Sequence, residues 1–175
     1  MAIGTPTAPT AMVSAASGTV TTGSFTPAAN IALFAFVTAR RTGSAAVTPT
    51  VSDSVGLTWT ALDNVNYDPG SNPRMAGQLY VAFPGASPSA MTVTCTSTGA
   101  SQTAVNVVSV TGASVTAGDY TNHVVGSVNT TGDPTATLGS SPAASSGVIG
   151  LAFMNATNTI TPPTGFTQIE ENTAA

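Results

Sequence analysis

The sequence predicts an all-β fold, an antiparallel β-sandwich with jelly-roll-like character, in one domain spanning residues 1–175. Three observations predict it. Thr and Val recur throughout, and β-branched side chains fit a pleated sheet better than a helix. Seventeen Gly and twelve Pro are scattered without period, which reads as frequent turns. Short strand-like runs recur at spacings of roughly 8–12 residues, the pattern of a sandwich or barrel. No stretch carries the i, i+3, i+4, i+7 apolar spacing of a long amphipathic helix. Low charge beside 42% hydrophobic residues argues against a disordered chain.

The strands are expected in order from the N-terminal end. Thr19 to Phe25 alternates around Val20. Ile31 to Ala39 opens with Ile31-Ala32-Leu33-Phe34-Ala35-Phe36-Val37, which is apolar on both faces and predicts a central strand covered on both sides. Thr48 to Ser52 follows. Leu57 to Leu62 alternates, with Leu57, Trp59 and Ala61 facing in and Thr58 and Thr60 facing out. Gln78 to Phe83 contains Tyr80 as a core residue. Met91 to Ser97 places Met91, Val93 and Cys95 on one face. Ala104 to Thr111 comes next. Asn122 to Val128, Thr135 to Leu138, Gly147 to Met154 and Phe166 to Glu170 complete the set, and Val148 to Met154 predicts a second central strand. Gly/Pro/Ser clusters such as 68–73 and 84–88 separate the runs.

Residues 27–63 are echoed weakly in 142–171. Pro27-Ala28-Ala29 and Pro142-Ala143-Ala144 each precede an apolar run. A Thr-Pro turn and a Gly-apolar-Thr strand then follow, at Gly56-Leu57-Thr58 and at Gly165-Phe166-Thr167. The echo reads as two sheets of one sandwich opening with similar strands. A truncated tandem array and coincidence in a biased composition are the alternatives. Gly112 to Ala117 is a seam between the copies and not a linker, since strands are expected to resume at once.

Charge sets the functional bounds. Only 6% of residues are Asp, Glu, Lys or Arg, against about 25% in an average soluble domain. Lysine is absent, and the three cations are Arg40, Arg41 and Arg74; His123 is the only histidine. Three arginines cannot neutralise a run of phosphates, which excludes nucleic acid as a partner. No run approaches the roughly 20 apolar residues of a membrane helix, so no membrane partner is expected. Met1-Ala2-Ile3-Gly4-Thr5-Pro6 lacks the features of a signal peptide. The expectation is a protein made in a host cytoplasm and released by lysis, or else a mature product that has lost its leader.

Catalytic chemistry finds little support. Asp119 lies four residues before His123, but no G-x-S-x-G elbow offers a serine. His123 reads as a surface or hydrogen-bonded residue. Most of Asp53, Asp63, Asp68, Asp119, Asp133, Glu170 and Glu171 fall in expected turns, where caps and Asx-turns are normal. Glu170 and Glu171 would point to opposite faces of a strand. No enzyme, cofactor or metal is therefore expected. Asp63 to Gly70 has the oxygen-rich look of a calcium loop, yet Pro69 and Met75 stand where an EF-hand needs Gly and Glu. A polar hairpin loop is the expectation there. Cys95 is alone and reads as a buried thiol. Asn129 and Asn155 sit in sequons that a Thr-rich chain produces readily. Tyr67, Tyr80 and Tyr120 could contribute to a sugar-binding face, but Tyr80 reads as strand core, which weakens that reading without excluding it. Arg40-Arg41 remains as the candidate partner contact, an anchor for a carboxylate on another subunit; the plainer reading is a solvated turn after a strand.

The segments "FTPAANIALFAFVTARR", "SDSVGLTWTAL" and "ITPPTGFTQI" resemble β-sandwich structural proteins of tailed phages. Such modules occur in head-decoration and tail-associated proteins, and similar ones in bacterial surface proteins. The resemblance covers about half the chain and rests on strand and turn residues, so it carries no catalytic position. It implies a non-enzymatic protein at the virion surface. The leading form is a capsid decoration, or cement, protein on the outer face of a phage head. Its partners would be the major capsid protein or other virion subunits, and further copies of itself in a homo-oligomer, a trimer being one form. Strand edges are normally guarded by charge, above all Lys. Here those guards are missing, so bulges, Pro or neighbouring subunits must cover the edges. The alternatives are a host-binding or adhesin-type module of a tail fibre or cell surface, and the subunit of an extracellular filament.

Overall fold

The computed structural model describes residues 2–43, 45–68, 74–124, 136–144, 146–150 and 161–169. Among the described residues eight strands form two antiparallel sheets: β1 (Val13–Ala15), β2 (Thr19–Thr21), β3 (Ala32–Arg41), β4 (Thr50–Asp53), β5 (Thr60–Tyr67), β6 (Arg74–Ala82), β7 (Val93–Thr96) and β8 (Gln102–Val110). The larger sheet runs β1-β8-β3-β6-β5 and the smaller β2-β7-β4. Every connection except the β5–β6 hairpin passes from one sheet to the other. The fold is the expected β-sandwich.

The sheets close on a core of Leu33, Val37, Tyr80, Met91, Val93, Cys95, Val105 and Val107, with Leu57 and Trp59 packed at its side. Met91, Val93 and Cys95 share the buried face that their alternation predicted. The Tyr80 hydroxyl donates to the Pro49 carbonyl at 3.2 Å, which satisfies its polar end inside the core.

β3 is the central strand and is covered on both faces. Its other side carries Ala32, Phe34 and Phe36, packed with Val81, Val108 and Val110. Over this second face lie Ala113, Ala117, Tyr120, Ile149 and Ile169. The Tyr120 ring meets Phe34 edge-on at 5.3 Å and stacks near Phe83 at 6.3 Å. The molecule is therefore a sandwich with a third, irregular layer.

That layer overturns the C-terminal strand expectations. The described parts of those four runs, 122–124, 136–138, 147–150 and 166–169, contain no strand; the rest lies outside the described residues. A β-rich composition becomes a strand only beside a partner edge, and both flanks of β3 are already taken by β6 and β8. Val148, expected in a central strand, is 44% exposed, while Ile149 packs on the second face. The smaller sheet is built from strands before residue 97, and the described parts of the echo, 142–144, 146–150 and 161–169, contain no strand. After Gly112 comes a short 3-10 turn, Ala117–Asp119, and not a strand.

Three further boundaries shift. β1 was not anticipated. Leu57–Trp59 form a loop, and β5 begins at Thr60. Asp63 to Tyr67, expected in a polar hairpin loop, is the second half of β5, with the turn to β6 falling after it. The β5–β6 register slips between Ala61 and Asp63, so a bulge at Leu62 separates the two halves. Leu57 and Trp59 face the core as expected, but Ala61 is exposed on the outermost strand.

Candidate assembly surfaces

All three arginines lie at one end of the larger sheet. Arg40 and Arg41 close β3, so they are half-buried strand residues and not a solvated turn after one. Alternation sends them to opposite faces. Arg41 stands directly opposite Arg74 of β6, a cross-strand pair of like charges that costs stability. The two diverge. The Arg41 guanidinium lies against Gly99, whose φ of +74° suits glycine and whose missing Cβ leaves the room. Arg74 turns to Asp68, with Nη1 2.9 Å from Oδ2. Arg40 and Arg41 have no carboxylate partner among the described residues, and the Nε atoms of Arg40 and Arg74 are buried without a hydrogen bond. Sequence reading singled out the Arg40-Arg41 pair and missed Arg74. Only the β3–β6 register brings Arg74 to the same end.

The acids are spent locally. Asp53 Oδ1 accepts from the backbone N–H of Val55 and Gly56 at 2.7 Å, while Oδ2 accepts from Leu57 N–H and from the Trp59 indole at 3.0 and 2.7 Å. This one carboxylate folds residues 54–59 over the core. Asp119 accepts from the Ser114 hydroxyl. Asp63 Oδ2 lies 2.9 Å from His123 Nδ1, so His123 is hydrogen-bonded, but to Asp63 and not to Asp119. Asp63 and Asp68, which the calcium pattern would have pointed at one ion, turn to different partners, His123 and Arg74. No group of three His, Cys, Asp or Glu gathers among the described residues. Asp133, Glu170, Glu171 and the sequon residues Asn129 and Asn155 lie outside them.

Cys95 is fully buried and free, its thiol 3.9 Å from the Thr38 carbonyl. Burial pushes its pKa up to about 12. Burial also raises Tyr80, with the nearby Cys95 adding to it, and raises Tyr120, helped by the Asp119 charge. None of these groups is poised to react at neutral pH.

The sheet edges differ in length. β1 and β2 have three residues each and β4 has four, and shortness is itself a guard. β5 has eight, and no described strand pairs with its outer side. Its one charge is Asp63, and it contains no Lys or Pro. Asn64 and Asn66 are exposed on it. Together with Gln78 of β6 they line a depression of about 180 Å³ beside Val47, Thr48 and Pro49. At the opposite end a shallow pocket of about 200 Å³ is lined by Pro27, Leu57, Pro84, Pro88 and Met91. No described helix is long and apolar enough to cross a membrane.

No family model matches this chain, and no curated protein or solved structure matches it.

Proposed function

We propose that the chain is a non-enzymatic virion structural protein, in its leading form a decoration protein that binds the outer face of a phage head. The observation that carries this reading is the long, nearly uncharged edge of β5 in a chain without lysine. A soluble monomer normally blunts such an edge, whereas a subunit held permanently against neighbours has it covered. The arginine end adds a second kind of contact. A guanidinium without a carboxylate of its own suits an acidic group on the major capsid protein or another subunit. The mechanism is adhesive: bridging lattice neighbours and stiffening the shell.

The test is to incubate the purified protein with phage heads assembled without it. Saturable binding at lattice positions and a higher temperature of DNA release are expected. Heads that take up no protein would sink the proposal.

One observation favours a host-binding module instead. Asn64, Asn66 and Gln78 present neutral amides around one depression, and amides can pair with sugar hydroxyls. A specific signal on a glycan array, together with no head binding, would select that reading.

A further inference from the structure

We infer that β5 pairs with β5 of a second copy, antiparallel about a two-fold axis through Val65, so that the larger sheets of two molecules become one. This deepens the assembly reading above and rests on it for the reason an open edge is tolerated. Its own test needs only the isolated chain.

The argument begins at the bulge. Beyond Leu62 the ladder with β6 is regular from Asp63↔Leu79 to Tyr67↔Met75. Alternate residues of such a strand turn their N–H and C=O away from the existing partner. The Asn64 N–H is held by the carboxylate of its own neighbour, Asp63 Oδ1, at 2.9 Å, which marks Asn64 as outward-facing and Asn66 with it. Asp63 thus caps, in the free chain, a donor that would otherwise pair with another strand.

A second β5 placed antiparallel with Val65 opposite Val65 sets Asn64 against Asn66 on both sides of the axis. Those are the outward-facing residues, so each such pair can exchange two main-chain hydrogen bonds. On the face shared with Gln78 the side chains meeting are Asn64 and Asn66, whose amides both donate and accept. On the other face Val65 meets Val65, and Asp63 meets Tyr67. The strand's only charge therefore falls opposite a neutral residue and never opposite itself. A shift of two positions toward the N-terminal side would set Asp63 against Asp63, and like charges directly opposite are destabilising. The sequence is complementary to itself in this register, as an isologous contact requires.

The experiment is light scattering and sedimentation equilibrium on the purified chain across a wide concentration range. A reversible dimer of twice 17.2 kDa is expected. Asn66→Pro removes an outward N–H on an edge strand, where proline can be accommodated, and weakens the dimer by about tenfold or more with little change in thermal midpoint. Asn64→Lys with Asn66→Lys, at exposed positions, gathers like charges about the axis and gives the same loss should the proline variant not fold. Val65→Cys crosslinks under mild oxidation, because the side chains meet at the axis and Cys95 is buried; Asn64→Cys alone does not crosslink. A monomer at every concentration, a dimer that survives the double lysine variant, or a dimer in which Val65→Cys fails to crosslink would overturn the inference. None of these outcomes bears on whether the protein binds heads.

Discussion

Single residues carry unusual weight where charges are few. Asp53 holds three backbone donors and the indole of Trp59, the only tryptophan. Asp53→Ala leaves those donors without a partner and frees the loop. The expected cost is about 2–4 kcal/mol of unfolding free energy in urea, with Trp59 emission shifted to the red in the native state. That Asp53 caps a turn was legible from its setting, since Asp before Ser-x-Gly is turn chemistry. That Leu57 and Trp59 lie in a loop was not, because the loop keeps the in-out alternation of a strand. Cys95 gives a second expectation. Its native pKa is raised to about 12 from an ordinary value near 9.0. The unfolded thiol therefore ionises first. The stability tied to this group is complete below about pH 9 and is lost as pH rises toward 12. The raised pKa values of Tyr80 and Tyr120 act in the same direction. Urea titrations should show stability falling through this alkaline range, with a shallower fall in Cys95→Val.

At the scale of elements, β3 was the most legible. Seven consecutive apolar residues predicted cover on both faces, and both faces are covered. The same reasoning failed at Val148 to Gly150, where the apolar run joins the irregular third layer instead. Pattern reports the wish to be buried; whether a strand or a loop does the burying depends on a free hydrogen-bonding edge. The failure at 63–67 is the converse. Asp63-Asn64-Val65-Asn66 is polar enough to read as a loop, and it is a strand because one side of it is paired with β6. The third layer also yields a test. Tyr120 joins the 117–120 turn to Phe34 and Phe83. Tyr120→Ala should cost about 2–4 kcal/mol and leave the second face partly open, measurable as increased binding of a hydrophobic dye to the native protein.

For the whole molecule, composition set the class correctly, while the placement of surfaces needed the register. Arg40 and Arg41 were visible as neighbours in sequence; Arg74 joins them only through a pairing across more than thirty residues. Their location at one end gives the molecule a cationic pole within a net charge of −4. Near the sequence pI of about 4.3 the net charge vanishes. With so few charges of either sign, little then opposes association through open edges. Turbidity at fixed protein concentration should peak sharply around that pH and shrink in the double lysine variant of Asn64 and Asn66.

The strand order has a consequence for synthesis. β8 lies between β1 and β3, and Thr7 bridges Ser109, so the beginning of the chain is fastened by its later part. As the chain leaves the ribosome, β3 can pair with β6 once residue 82 has emerged, but its other flank stays bare until residue 110 has followed. Contacts this distant in sequence make closure slow. For that interval the most apolar segment of the protein is exposed along one side, and the scarcity of neighbouring charge gives it little protection. A chaperone that shields nascent chains would therefore govern the yield of this protein more than its final stability does.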